Sequence, residues 1–220
     1  MFKSYFKMLL KNFSLPLKYF LETHLFDIVN KVDTHRWLPL ENYKFYPKNF
    51  KNSVHYQSSW TSEVINCFNY LYEKIHNLKD FIFVDVGCGK GKTLIVWNQQ
   101  LFIKKIKQQS LGIEYYKPLL SIAKKNFYKL NIKNVKLINK NILDVKFKEK
   151  NYIFYLYNPF DKTILINFIK NIKNINFILI YNNPVHHSIL SKKFNLKIIY
   201  IKNNKKYPNL RTVIYSNTSN

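Results

Sequence analysis

Three of the four glycines in this 220-residue chain fall within one five-residue turn. Gly87, Gly89 and Gly91 follow an apolar, β-branched run, residues 81–86, which predicts a buried β-strand. A chain with so little glycine places it where the backbone needs a positive φ or where a ligand must approach the main chain. The strand and turn therefore predict a cofactor loop at the carboxyl end of the first strand of a sheet.

Strands and helices alternate after this turn. Residue patterns predict strands near 81–86, 109–114, 134–139, 152–157 and 175–181, and helices near 62–78, 90–100, 117–130, 162–172 and 185–191. This alternation is typical of a parallel sheet with helices on both faces. Two final strand patterns, 196–202 and 210–215, predict an antiparallel hairpin. The predicted fold class is α/β, a Rossmann-like doubly wound sheet, mostly parallel, with a C-terminal antiparallel hairpin and an N-terminal helical extension.

The N-terminal residues follow a different pattern. Apolar residues at positions 2, 5, 6, 9, 10 and 13 recur at helical spacing, with lysines on other faces. Such a helix either packs on the main domain or lies on an anionic membrane surface or a partner. If it lies on a surface, we predict a weak association of residues 1–30 with an anionic surface. Residues 31–58 are irregular and rich in aromatic residues. We predict a helical extension and lid over residues 1–60 and a main domain over 61–220.

The formal net charge of +24 favours an anionic partner, but the composition weakens the argument for nucleic acid. Only Arg36 and Arg211 are arginines, and arginine is the residue that recognises phosphates and bases through paired hydrogen bonds. The lysine excess accompanies abundant Asn, Ile, Phe and Tyr, a pattern that we interpret as the imprint of an A/T-rich genome. RNA is therefore an alternative partner rather than the main prediction.

Cysteine content and hydropathy bear on the compartment. Cys67 and Cys88 are too few for a disulfide framework or a zinc site of their own, so no metal is predicted. No stretch approaches the roughly 18 apolar residues of a membrane-spanning helix, and lysines interrupt the N-terminal segment where a signal peptide would have its apolar core. These features predict a cytoplasmic protein.

Two of the 12 acidic residues fall at the ends of the first two predicted strands. Asp85 lies near the end of the first strand, and Glu114 ends the second, 23 residues after Gly91 (114 minus 91). Ligands of open α/β sheets bind at the carboxyl ends of the strands, and a carboxylate about 20 residues after a glycine loop can accept hydrogen bonds from both hydroxyls of a ribose. Both acids are therefore candidate ligands of a nucleoside cofactor.

The glycine spacing is G-x-G-x-G, which differs from the dinucleotide fingerprint G-x-G-x-x-G. With Asp85, the turn resembles the first motif, acid-x-G-x-G-x-G, of the class I S-adenosylmethionine-dependent methyltransferases. Residues 134–147 resemble the third-strand motif of this family, with Asn141 where Asp is common. Residues 157–160, Tyr-Asn-Pro-Phe, resemble the fourth-strand motif of its amine methyltransferases, without the second proline. The resemblance covers residues 81 to about 183 and, more loosely, the hairpin.

The resemblance implies S-adenosylmethionine as the cofactor and a methyltransferase domain over residues 61–220. The cofactor-binding residues that it implies are Asp85, Gly87, Cys88, Gly89, Gly91, Glu114, Tyr115, Asn141 and Ile142. Asp85 would face the ammonium and sulfonium charges and Glu114 the ribose, while Tyr115, Asn141 and the backbone of Ile142 would contact the adenine.

The implied catalytic residues are Asn158, Pro159 and Phe160. The Asn158 side chain and the Pro159 carbonyl would accept hydrogen bonds from an acceptor N–H and aim its lone pair at the methyl group, and Phe160 would form an apolar wall. Nitrogen is thus favoured over oxygen, and the acceptor is open between a protein side chain, a small molecule and RNA. A tRNA or rRNA methyltransferase and a non-catalytic adaptor that retains the fold are the alternatives.

Simpler interpretations of the same residues are also open. Asp161 has the residue type and position of a helix N-cap. Asn158 fits a plain turn before that helix as well as it fits an acceptor site. His186 and His187 are typical of surface residues near a helix start, and Cys88 is typical of a small residue filling a loop.

Overall fold

The computed structural model describes residues 10, 12–35, 38–39, 42, 55–204 and 211–217. Within these ranges, seven strands form one sheet: β1 (Phe81–Val86), β2 (Ser110–Ile113), β3 (Val135–Ile138), β4 (Asn151–Tyr157), β5 (Phe177–Asn182), β6 (Lys197–Lys202) and β7 (Thr212–Ser216). The strand order is β3-β2-β1-β4-β5-β7-β6. Strands β1 to β5 are parallel, whereas β7 is antiparallel to β5 and β6. The predicted fold class is confirmed.

Helices connect the strands and precede them. They are α1 (Leu15–Tyr19), α2 (Leu25–Asn30), α3 (Thr61–Lys74), α4 (Lys92–Ile103), α5 (Lys117–Lys129) and α6 (Lys162–Ile172), with a π-helical turn, Phe20–His24, joining α1 to α2. The side chain of Asp161 accepts a hydrogen bond from the Ile164 N–H (2.9 Å), so the predicted N-cap of α6 is confirmed.

The predicted helix over 185–191 differs from the structure. The regular element in this region is a π-helical turn, Ile189–Lys193, in which the Phe194 N–H donates to the Ile189 carbonyl (3.2 Å). A π turn carries one more residue than an α turn between bonded groups. Leu190, within this turn, is fully buried in the core.

The two faces of the sheet carry separate apolar cores, as expected when side chains alternate along buried strands. On one face Phe83 of β1 stacks on Trp97 of α4, with ring centroids 3.9 Å apart. On the other face Phe154 of β4 contacts Phe168 of α6 edge to face at 5.3 Å. Strands β1 and β4 are parallel neighbours in the sheet between these cores, and the candidate site lies where the two strands end.

The N-terminal helices contact the main sheet domain through polar groups. The Glu22 carboxylate accepts a hydrogen bond from the Ser62 N–H (3.0 Å), and the Glu22 carbonyl accepts one from the Thr61 hydroxyl (3.2 Å). Because the N-cap residue of α3, Trp60, provides no side-chain cap, Glu22 supplies an acceptor for the first turn of that helix. The helix predicted around residues 2–13 and most of the lid predicted over 31–58 lie outside the described residues.

Candidate active site

A cavity of about 300 Å³ opens at the carboxyl ends of β1, β2 and β4. This is the edge at which open α/β sheets bind ligands. It is lined by ten of the twelve residues that the sequence proposes for the site, namely Asp85, Gly87, Cys88, Glu114, Tyr115, Asn141, Ile142, Asn158, Pro159 and Phe160. The other two, Gly89 and Gly91, do not line it.

The cavity has further lining residues that the motifs did not indicate. Among them are Ser58, Ser59, Lys92, Thr93, Tyr116, Leu119, Lys140, Tyr157, Ile164 and Asn183, together with the segment 55–57 from the predicted lid. Ser58 and Ser59 are both buried and lie just before α3, separated from it by its N-cap residue Trp60. A pair of serines before a helix is a local signal for a cap or a polar contact, but it does not indicate which cavity it faces.

The glycine turn has the backbone that its composition predicts. The φ values of Gly87, Gly89 and Gly91 are 77°, 52° and 85°, all in the region that favours glycine. A Cβ at Gly89 would lie 2.2 Å from the Tyr56 ring, and a Cβ at Gly91 would lie 2.8 Å from the Phe127 ring. The Cβ direction of these two glycines is therefore filled by the protein's own aromatic side chains, and Gly87 is the one of the three that lines the cavity.

Tyr56 is held over the glycine turn by bonds to the N-terminal segment. Its hydroxyl donates to the Thr34 carbonyl at 2.6 Å. Lys90, within the turn, forms a salt bridge with Asp33 at 2.8 Å, and the Asn126 amide donates to the carbonyls of both Asp33 and Lys90 at 3.0 Å. Asp33 thus binds the glycine turn directly, through Lys90, and Thr34 holds the Tyr56 ring that covers the turn.

Glu114 is a buried acid whose oxygens hold the surrounding loops. One carboxylate oxygen accepts the Gly89 N–H at 2.9 Å, and the other accepts the Tyr116 N–H at 2.7 Å. Burial raises the pKa of the Glu114 carboxyl, and the hydrogen bonds from Tyr116 and Gly89 act in the opposite direction. Each oxygen retains a second lone pair, so both hydroxyls of a ribose could still donate to it.

Asp85 is also buried, beside Glu114. Burial and then the negative charge of Glu114 raise the pKa of Asp85 well above its usual range, while a hydrogen bond from Thr93 lowers it. Among the salt bridges between described residues, none involves either acid. Two buried acids that have no salt-bridge partner among the described residues leave the cavity electrostatically suited to a ligand that carries positive charge, as the ammonium and sulfonium groups of S-adenosylmethionine do.

The adenine side of the predicted site is formed by the loop after β3. The Asn141 side-chain oxygen accepts the Leu143 N–H at 3.0 Å and caps a short helical turn, Ile142–Asp144. The Asn139 amide donates to the carbonyls of Glu114 (2.8 Å) and Tyr115 (2.9 Å), which joins this loop to the end of β2. The Asn141 oxygen has one lone pair left with which it could accept an adenine amino group.

The opposite side of the cavity is formed by two asparagines that follow β4 and β5. Asn158 and Asn183 have φ values of 42° and 50°, a backbone conformation that asparagine adopts more readily than most residues. The Asn158 side-chain oxygen accepts a hydrogen bond from the Tyr181 hydroxyl at 3.0 Å. Burial raises the pKa of Tyr181 to about 12, so this phenol stays protonated and can donate. The Asn158 amide is therefore oriented at the cavity edge.

A family model described as a methyltransferase domain matches residues 77–207, more than half of the chain. The chain belongs to this methyltransferase family. S-adenosylmethionine is the cofactor of this methyltransferase, and the glycine turn, the two buried acids and the adenine-side loop form a cavity compatible with it. A search of curated proteins found no match to the sequence.

Solved structures with the same fold share little sequence with this methyltransferase. Synechocystis PCC 6803 magnesium protoporphyrin IX methyltransferase has a TM-score of 0.52 at 13% identity, covering 71% of this chain and 77% of that one. Pyrococcus abyssi tRNA (uracil-54, C5)-methyltransferase has a TM-score of 0.51 at 12% identity, covering 73% of this chain but only 39% of that one. A SAM-dependent methyltransferase from Aquifex aeolicus has a TM-score of 0.50 at 10% identity, covering 73% of this chain and 100% of that one. At these identities the likeness establishes the fold and leaves the acceptor open.

Within the described part of the methyltransferase, none of the helices has the length and apolar character needed to cross a membrane.

Proposed function

We propose that this methyltransferase transfers the methyl group to a nitrogen atom of a protein side chain or a small molecule. The observation that carries the proposal is the Asn158 amide, which lines the cavity and whose oxygen is fixed by the Tyr181 hydroxyl. An oriented amide oxygen beside a backbone carbonyl is a set of acceptors that suits an N–H group. A carbon acceptor offers only a weak C–H donor, and a hydroxyl has one polar hydrogen where an amino group has at least two.

The chemistry requires positioning more than activation. When bound, S-adenosylmethionine supplies a methyl group that is already electrophilic because it is attached to a sulfonium. The Asn158 oxygen and the Pro159 carbonyl would accept N–H bonds from the acceptor and leave its lone pair directed into the cavity. Phe160 and Ile164, which also line the cavity, would exclude water from the reacting atoms. Asp85 and Glu114 would balance positive charge on the cofactor side.

The stability of the methyl label tests the acceptor atom. The protein is incubated with methyl-tritiated S-adenosylmethionine and separate pools of protein, RNA and small metabolites, and the labelled product is treated with alkali. Label that stays on a protein or small molecule after alkali excludes a carboxyl ester, and mass spectrometry of the purified product then locates the methyl group. A methyl group on nitrogen supports the proposal, and one on oxygen, carbon or sulfur refutes it. Label released as methanol indicates a carboxyl ester and refutes the proposal, and label confined to RNA favours the alternative acceptor class.

Asn158→Gly tests the role of the side chain without straining the backbone, because glycine accepts a positive φ. Methyl transfer should fall by roughly tenfold or more while S-adenosylhomocysteine affinity stays within about twofold. Asn195→Gly is the matched control, since Asn195 also has a positive φ (49°) and does not line the cavity. If Asn158→Gly weakened cofactor binding as much as transfer, Asn158 would belong to the cofactor site instead.

A further inference from the structure

The N-terminal helices present an apolar face to solvent. Between residues 15 and 30, every residue that is exposed is apolar: Leu17, Phe20, Leu21, Leu25, Ile28 and Val29. Ile28 and Val29 are 64% and 69% exposed, although burial of such side chains is favourable. Phe13, just before α1, is 87% exposed. Contiguous exposed apolar surface on a helix marks an interaction site.

The acidic residues of this helical segment face the rest of the protein instead of the solvent. Glu22 accepts the Ser62 N–H, and Asp27 is 5% exposed and accepts hydrogen bonds from the Thr34 N–H (2.6 Å), the Thr34 hydroxyl and the His35 N–H (2.9 Å). The inner face is thus held to the protein by polar groups. This arrangement removes negative charge from the outer face, which is the opposite of an ordinary amphipathic helix with its polar residues in water.

Exposed apolar residues and lysines also lie next to the end of α2. Asn30 accepts a hydrogen bond from Gln99 of α4 at 2.6 Å, and Phe102, nearly one turn further along α4, is 85% exposed. The exposed lysines nearest to these residues in the chain are Lys31, Lys104, Lys105 and Lys107. The Lys129 ammonium donates to the Lys31 carbonyl at 3.4 Å, which places it beside the end of the segment.

We propose that the outer face of residues 15–30, with Phe102 of α4, docks on the surface of an anionic lipid bilayer. Leucine, isoleucine, valine and phenylalanine side chains would enter the boundary of the acyl chains while lysines contact acidic headgroups. The net charge of +24 favours this occupant over a second copy, because two copies of the same basic chain repel each other. Such binding is peripheral, and it does not depend on which acceptor is methylated.

Cosedimentation with vesicles tests the proposal on the full chain. The protein should bind vesicles of equimolar phosphatidylcholine and phosphatidylserine, bind pure phosphatidylcholine much more weakly, and dissociate as salt is raised. Leu17→Gln combined with Leu21→Gln should weaken partitioning by roughly tenfold or more, because two apolar side chains no longer insert. Glutamine is a good helix former, so the helix should be retained.

The matched control is Ile198→Gln combined with Ile201→Gln, which changes two exposed apolar residues on the edge strand β6. It should bind vesicles like the unaltered protein. Unchanged S-adenosylhomocysteine affinity and thermal unfolding confirm that each variant is folded, and Phe102→Gln repeats the test on a separate helix. The proposal is overturned if the unaltered protein fails to bind the acidic vesicles at low salt, or if the Leu17 and Leu21 variant binds them as tightly as the unaltered protein. It is also overturned if light scattering shows that the unaltered protein is a dimer and that the Leu17 and Leu21 variant is a monomer.

Discussion

Replacement of Glu114 by alanine should affect both protein stability and cofactor binding. The carboxylate is buried and accepts the backbone N–H groups of Gly89 and Tyr116, so Glu114→Ala leaves two buried donors without an acceptor. Each unpaired donor costs about 1 to 3 kcal/mol, and loss of the repulsion with Asp85 offsets part of this. We expect the free energy of unfolding of the cofactor-free protein to fall by about 2 to 4 kcal/mol.

Cofactor affinity should fall independently of stability. Unpaired ribose hydroxyls cost about 1 to 3 kcal/mol, which is roughly a 5- to 150-fold weaker affinity for S-adenosylhomocysteine by calorimetric titration. Glu114→Gln is the matched control for stability, because its one amide oxygen can keep one of the two backbone bonds, and it should lose about half as much. Denaturant unfolding of the three proteins measures this series. An unchanged free energy of unfolding in Glu114→Ala would refute the role in holding the loops, and an unchanged affinity would remove Glu114 from the cofactor site.

Three other changes have expected outcomes that follow from burial and backbone geometry. Asp85→Asn should weaken S-adenosylhomocysteine binding yet stabilise the cofactor-free protein. Because the pKa of Asp85 is raised in the folded state, the stabilisation should be absent in acid, grow as pH rises from the ordinary pKa of 3.8 to the raised pKa, and stay constant above it. A Tm difference that does not change with pH would contradict this. Gly89→Ala should lower the free energy of unfolding by about 1 to 3 kcal/mol, through its positive φ and the contact with Tyr56, and Tyr56→Leu in the same chain should restore part of the loss. Burial lowers the pKa of Lys92 from 10.5 to about 8, so the charged lysine destabilises the folded protein below pH 8 and the neutral lysine above pH 10.5 does not. Lys92→Met should therefore stabilise the protein by about 3 kcal/mol more below pH 8 than above pH 10.5. Equal stabilisation at the two ends of this range in denaturant unfolding would contradict the prediction.

Local signals explain which parts of the fold could be predicted. The predicted limits of α6, residues 162–172, agree with the structure because its N-cap residue, Asp161, directly precedes the helix in the sequence. The strand before the glycine turn, 81–86, was also predicted at its observed limits because an apolar run ends in residues that need a positive φ. The π turn at Ile189–Lys193 was not predicted, because its bonding pattern has no signal in residue periodicity.

Long-range contacts explain what the sequence could not reveal about the site. The motif residues at the ends of β1, β2 and β4 line the cavity because parallel strands end at one edge. The position of Tyr56 over Gly89 depends on a bond from its hydroxyl to the Thr34 carbonyl, which no local pattern indicates. Helical spacing likewise predicts an apolar stripe without saying which face will be turned toward the protein.

The bond between Glu22 and the start of α3 has a consequence for where this protein can be cut. The region matched by the family model begins at residue 77, so a fragment that begins at residue 61 would keep all seven strands and the whole matched region. It would nevertheless lose the acceptor for the Ser62 N–H and the carbonyl that receives a hydrogen bond from the Lys92 ammonium. The smallest independently stable fragment should therefore extend well upstream of the domain boundary, and activity measured on the shorter piece would underestimate that of the intact enzyme.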